Sequence, residues 1–159
     1  MVDAVMIRAN NHQDVLDFAE ASDVPVINGL TDLSHPCQII ADIMTIEETQ
    51  GDIAGKTIAW LGDGNNVCTS FIHAAEKLDF KLRIATPANY APRAQEVAAA
   101  KAAGADISVT TEAKAAIAGA DVVVTDCWVS MGDTDKDERM AAFPPYAVND
   151  EMMAHAAKD

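Results

Sequence analysis

The amino-acid sequence predicts an α/β fold, a mainly parallel sheet with helices packed on both faces. Two observations carry this prediction. Short apolar runs rich in branched residues, such as TIAWL, LRIA and VVVT, alternate with longer segments whose apolar residues recur at helix spacing. The chain has 159 residues, 50% of them hydrophobic and 23% charged, which suits a folded domain and excludes disordered or collagen-like sequence.

Residues 2–7 read as a strand, residues 14–21 as a helix with Val15, Phe18 and Ala19 on its inner face, and residues 24–27 as a second strand. A long helix opens at Pro36, where the missing proline N–H is harmless because first-turn amides have no partner inside the helix. It turns Ile39, Ile40, Ile43 and Met44 inward. The segment QGDIAGK, residues 50–56, has two glycines and no apolar period, so it ends that helix and marks a domain boundary between residues 1–50 and 51–159. Residues 57–61 form a strand, followed by a helix marked by Phe71, Ala74, Ala75 and Leu78. Residues 82–85 are the next strand, and residues 92–103 an alanine-rich helix stopped by Gly104. Residues 107–110 are a strand, residues 112–117 a short helix stopped by Gly119, and residues 122–125 a strand. The mixed-charge run DTDKDER, residues 133–139, reads as a solvated loop. Asn149 is placed to cap a last helix. Two strands before residue 50, and a final helix with no strand after it, predict that both ends continue in a longer protein.

Eleven basic against 25 acidic residues leave a formal net charge of −14, which argues against nucleic acid or an anionic membrane surface as partner. Three cysteines, Cys37, Cys68 and Cys127, are too few and too dispersed for a disulfide framework and form no C-x-x-C pair, which points to a reducing compartment. No signal-like segment opens the sequence and no apolar run is long enough to span a bilayer, so a cytoplasmic location is expected. The histidines His12, His73 and His155 have no metal-like spacing, and no cysteine has an evident base partner.

Ligands of open α/β sheets bind beyond the carboxyl ends of the strands, so the residues that follow each strand are the candidates. Arg8 ends MIR; a lone arginine there is usually a solvated surface charge. In NGLTDLSHPCQ, His35 and Gln38 flank Pro36 and Cys37 at a helix start, where unpaired N–H groups suit an anion or a polarised carbonyl oxygen. A capping histidine with a surface glutamine would look the same. The loop LGDGNN offers Asp63, Asn65 and Asn66 to a small polar ligand. It is no dinucleotide fingerprint, because the third glycine position is Val67 and the following strand ends in Thr86 and Pro87, with no acidic residue for a ribose. In TDCWVSMG, Asp126 could grip an ammonium group while Ser130 and the loop amides take a carboxylate, a pairing that would read an amino acid; a turn with Trp128 packing inward is the plainer alternative.

Taken together and in this order, MIR, NGLTDLSHPCQ, LGDGNN and DCWVSMG resemble the ornithine carbamoyltransferases, through essentially the whole chain. H-P-C-Q resembles the carbamoyl phosphate site of transcarbamylases, D-G-N-N is typical of the ornithine enzymes, and D-x-W-x-S-M-G resembles the loop that closes on ornithine. The resemblance implies a Rossmann-like ornithine-binding domain over residues 51–159 and the last βαβ portion of a carbamoyl phosphate domain, with its linking helix, over residues 1–50. It implies transfer of the carbamoyl group from carbamoyl phosphate to the side-chain amine of L-ornithine, giving citrulline and phosphate, with no cofactor or metal. Arg8, His35, Pro36, Cys37 and Gln38 would hold carbamoyl phosphate, with Arg8 and His35 polarising its carbonyl. Asn66, Asp126, Ser130 and Met131 would hold ornithine. The family is homotrimeric.

Family members are roughly twice as long. They begin with a domain that carries a Ser-x-Arg-Thr or Ser-Thr-Arg-Thr phosphate-binding motif and later carry a His-Cys-Leu-Pro segment, and neither motif occurs here. The expectation is therefore of an internal fragment, inactive or nearly so alone because the main phosphate grip is missing. Other outcomes consistent with the residues are a non-catalytic amino-acid-binding fragment or a related transcarbamylase with another amine acceptor.

Overall fold

The computed structural model describes residues 2–130 and 132–158, and its architecture is α/β throughout. In chain order the elements are β1 (Val5–Arg8), α1 (His12–Glu20), β2 (Val26–Leu30), α2 (Pro36–Gln50), β3 (Thr57–Leu61), α3 (Asn66–Lys77) and β4 (Lys81–Ala85). They continue with α4 (Ala94–Ala102), β5 (Ile107–Thr110), α5 (Ala113–Ile117), β6 (Val122–Thr125), α6 (Lys136–Ala142) and α7 (Asp150–Met153). β1 and β2 pair in parallel as a two-stranded sheet, and the other four strands form a second parallel sheet in the order β5-β4-β3-β6.

The larger sheet is buried on both sides, as the unbroken apolar run TIAWL foretells. The strand period of two sends Ile58 and Trp60 to one face and Ala59 and Leu61 to the other. The first pair packs with Phe71, Ile72 and Ala75 of α3, Ile39 and Ile46 of α2, and Ala100 of α4. The second packs with Ala113, Ala116 and Ile117 of α5, together with Tyr146 and Met152. Trp60 and Phe71, both fully buried, meet with ring centroids 5.7 Å apart. Polar staples fix β6 against β3: Thr57 N–H donates to Asp121 Oδ2 at 2.7 Å, and Thr125 Oγ1 donates to the Leu61 carbonyl at 2.8 Å.

Because β4 lies on one side of β3 and β6 on the other, the chain leaves β3 in one direction and returns to its opposite flank. The crevice beyond the carboxyl ends of β3 and β6 is thus a topological switch point, the place where open α/β sheets bind ligands.

Three features depart from the sequence expectations. Lys136–Ala142 is a helix rather than part of a solvated loop. Of the three residues expected inward on α1, only Val15 is buried; Phe18 stays 46% exposed. On α2, Ile39 and Ile46 are buried whereas Ile40 is 67% and Met44 57% exposed. Apolar periodicity identifies a stripe but not what opposes it, and here the narrow two-stranded sheet and α3 cover only one edge of that stripe. Asn149 caps α7 as expected, its Oδ1 accepting from Met152 N–H at 2.9 Å.

Candidate functional site

A cleft of about 1310 Å³ opens between the two sheets, and six of the nine candidate residues line it: Arg8, His35, Gln38, Asn66, Asp126 and Ser130. Met131 falls outside the described residues. Pro36 and Cys37 do not line the cleft; Pro36 opens α2, and the Cys37 thiol turns back to donate to the Asn28 carbonyl at 3.4 Å.

One wall comes from β1, β2 and the start of α2. Between Ile7 and Arg8 the pairing with β2 skips a residue, so Arg8 stands opposite Leu30 at the strand end, and it carries no ion pair among the described residues. His35 precedes the first turn of α2. Its backbone N–H donates to Ser70 Oγ at 2.7 Å, and its Nδ1 is buried without a hydrogen-bond partner. Buried polar atoms are normally paired, so this unpartnered nitrogen of a residue that lines the cleft is an exception that a functional role would explain. Gln38, one turn on, donates to Asp42 at 2.9 Å, and both residues line the cleft.

The opposite wall is the β3–α3 loop together with the β6–α6 loop. Asn65 caps α3, its Oδ1 accepting from Val67 and Cys68 N–H, while its Nδ2 donates to Asp126 Oδ2 at 3.0 Å. Asp126 also accepts from Cys127 N–H at 2.7 Å. Asn66 reaches across the floor to donate to the Thr31 carbonyl at 2.6 Å, so it bridges the walls as well as lining them. Ser130 is exposed, its hydroxyl 3.4 Å from the Cys127 sulfur. The loop can approach the neighbouring strand connection only because residue 64 is glycine: a Cβ there would lie 2.2 Å from Pro92 N.

Asp63 and Asn65 of LGDGNN also line the cleft, but their side chains are engaged by other protein groups. Asp63 pairs with Arg139 of α6 at 2.6 Å, and Asn65 is engaged in capping and in holding Asp126. Burial raises the Asp63 carboxyl above its ordinary value, with Arg139 pulling the other way. Arg139 also pairs with Asp135 at 2.8 Å and Asp133 at 3.3 Å, and its guanidinium lies 4.8 Å from the Tyr90 ring centroid. The i,i+4 spacing of Asp135 and Arg139 was the one visible hint of this helix in an otherwise aperiodic run. Nearer the mouth, Arg93 donates to Asp32 Oδ2 at 3.2 Å.

The charges are therefore sorted. Two of the three lining arginines are paired with carboxylates, Arg8 has no ion pair among the described residues and lines the same wall as His35, and Asp126 lines the other wall. Such a site suits an anion or polarised carbonyl at one wall and an ammonium group at the other. Among the described residues no group of three or more His, Cys, Asp or Glu side chains is arranged to hold a metal ion, and no helix is long and apolar enough to cross a membrane.

Known proteins divide the chain along the same cleft. Residues 1–48 match the carbamoyl-P binding domain of the aspartate/ornithine carbamoyltransferases, and residues 54–159 match their Asp/Orn binding domain. Ornithine carbamoyltransferase of Caulobacter vibrioides is 65% identical over 157 residues, covering 99% of this chain and 50% of that protein. The structure of ornithine carbamoyltransferase from Pyrococcus furiosus superposes with a TM-score of 0.89 at 42% identity, over 98% of this chain and 51% of that one. The anabolic enzyme from Campylobacter jejuni gives 0.93 at 38% identity, over 100% and 55%. The chain spans about half the length of these relatives.

Proposed function

Because the chain belongs to the aspartate/ornithine carbamoyltransferase family, we infer that its cleft takes carbamoyl phosphate at the Arg8–His35 wall and L-ornithine at the Asp126–Ser130 wall. The observation that carries this is the juxtaposition itself: Arg8, without an ion pair among the described residues, and His35, whose Nδ1 is buried and unpartnered, line the same cleft as Asp126 and Ser130. The relatives of known name, ornithine carbamoyltransferases, support the assignment.

Arg8 and His35 donate to the carbonyl oxygen of carbamoyl phosphate, where negative charge grows as the carbon becomes tetrahedral. Gln38 is close enough in sequence and on the same turn to hold the carbamoyl amide. Asp126 receives the α-ammonium of ornithine and the Ser130 hydroxyl its α-carboxylate, so that the side-chain amine points back across the cleft. The unprotonated amine attacks the carbonyl carbon; the new C–N bond forms as the C–O bond to phosphate breaks, and the proton lost by nitrogen leaves with the phosphate. The protein's contribution is orientation and stabilisation of the oxyanion.

Calorimetry with the 159-residue chain tests the acceptor half. Ornithine binds, and Asp126→Asn weakens it at least tenfold, because an amide cannot match the charge of an ammonium ion. Equal binding by the variant, or none by the parent chain, overturns the assignment. A parallel assay for citrulline measures what turnover the chain has, and in it Arg8→Ala and His35→Ala each lower the rate by about 100-fold, the size typical of one oxyanion donor.

A further inference from the structure

Arg139 has no part in the ligand assignments above, yet its contacts run to both loops of the acceptor wall. Its Nη1 donates to Asp63 Oδ2 at 2.6 Å and to the Trp128 carbonyl at 3.2 Å. Its Nε donates to Asp135 Oδ1 at 2.8 Å and lies 3.3 Å from Asp133 Oδ2. Asp133 passes the connection on, since its Oδ2 accepts the backbone N–H of Ser130 at 2.7 Å. Gly132, between them, has a φ of 100°, a conformation that a side chain would resist, so the turn is shaped to bring Asp133 back to Ser130. On the other loop Asp63 stands two residues before Asn65, which holds Asp126.

We propose that Arg139 is a positioning residue of the acceptor site, cross-tying the β3–α3 and β6–α6 loops so that Asp126 and Ser130 are held in register for one amino-acid ligand. The proposal rests on the assignment of that wall to ornithine. Two further observations support a positioning role. α6 has no buried residue of its own, yet the Arg139 side chain is only 12% exposed, so this helix meets the site through a polar fork rather than an apolar face. The contacts also need a planar group with donors in several directions, which arginine provides and lysine does not.

Removing Arg139 outright would leave Asp63 buried without its cation and could unfold the chain. The test therefore uses Arg139→Lys, which keeps the charge, and Asp133→Ala, which breaks only the relay to Ser130. Hydrogen exchange at the Ser130 amide reports loop order without any ligand, and calorimetry reports ornithine affinity. The expected result is Ser130 exchange at least tenfold faster in both variants. The ornithine Kd should rise about tenfold for Arg139→Lys and about threefold for Asp133→Ala, with thermal midpoints within a few degrees of the parent. Unchanged exchange in both variants overturns the proposal, and so does faster exchange with an unaltered Kd. A Kd that rises only in proportion to lost folded protein would show a structural role alone and overturn it as well. If the parent chain binds no ornithine, the ligand assignment falls separately, and the exchange data still decide whether Arg139 organises the loop.

Discussion

The two walls of the cleft are held in different ways. The acceptor wall grows from a sheet buried on both faces, and its loops are tied together by hydrogen bonds of Asn65, Asp63, Arg139 and Asp133. The Arg8–His35 wall grows from two strands whose Met6 and Ile27 side chains remain exposed, and among the described residues its two principal side chains have no charged partner. The first wall owes its shape to its own packing. The second is set by the pairing of β1 with β2 and by the anchoring of α2 on α3, so ligand contacts there meet a less constrained surface.

The sharpest test of this contrast is core truncation. Phe71→Ala, in the core beneath the acceptor wall, should cost about 3–5 kcal/mol in urea unfolding, whereas Ile40→Ser on the exposed edge of α2 should change stability by no more than about 0.5 kcal/mol. Comparable losses would erase the distinction. Gly64→Ala comes next, at about 1–3 kcal/mol, because the added methyl meets the backbone of Pro92 rather than a flexible side chain.

Acid sharpens the comparison further. A hydrogen bond with His73, then one with Gln95, holds the Glu96 carboxyl below its ordinary value of 4.5. A depressed folded-state value means that Glu96 supports the fold at pH above 4.5 and loses that support as pH falls through the folded value. Glu96→Gln should flatten the acid limb of the stability profile. Asp63 has the opposite sign: its value is raised by burial, so protonation favours the folded state as pH falls toward 3.8, and Asp63→Asn should steepen the same limb. Circular dichroism melts across pH 3 to 6, a range chosen to bracket roughly the ordinary carboxyl values, would separate the two. The smallest effect is expected for Arg8→Ala, whose unfolding midpoint should match the parent within about 0.5 kcal/mol while anion binding weakens.

Most of the fold was legible because βα units announce themselves twice, by a strand's branched apolar run and by a helix's stripe. TIAWL and VVVT appear where expected, and their order places the crevice. Cleft-lining residues were legible where they end a strand or follow it directly, as with Arg8 and Asp126. The site was illegible where function depends on pairing across distant segments. DTDKDER has no apolar period, and the i,i+4 spacing of Asp135 and Arg139 is its one local hint of α6. The pairing of Asp63 with Arg139, 76 residues apart, could not be inferred from local pattern. The exposed flanks of α1 and α2 were misjudged for a related reason, since a stripe of apolar residues records a capacity for burial rather than its presence.

One detail of the cleft floor bears on how the molecule melts. Ser70 and Asn66, one turn apart on α3, receive the His35 N–H and donate to the Thr31 carbonyl respectively. The connection after β2 is thereby stitched to a helix whose opposite side packs into the main core. The smaller sheet cannot leave without breaking bonds to an element of the larger one, so heating should give a single calorimetric peak whose van't Hoff and calorimetric enthalpies agree, rather than two separate transitions.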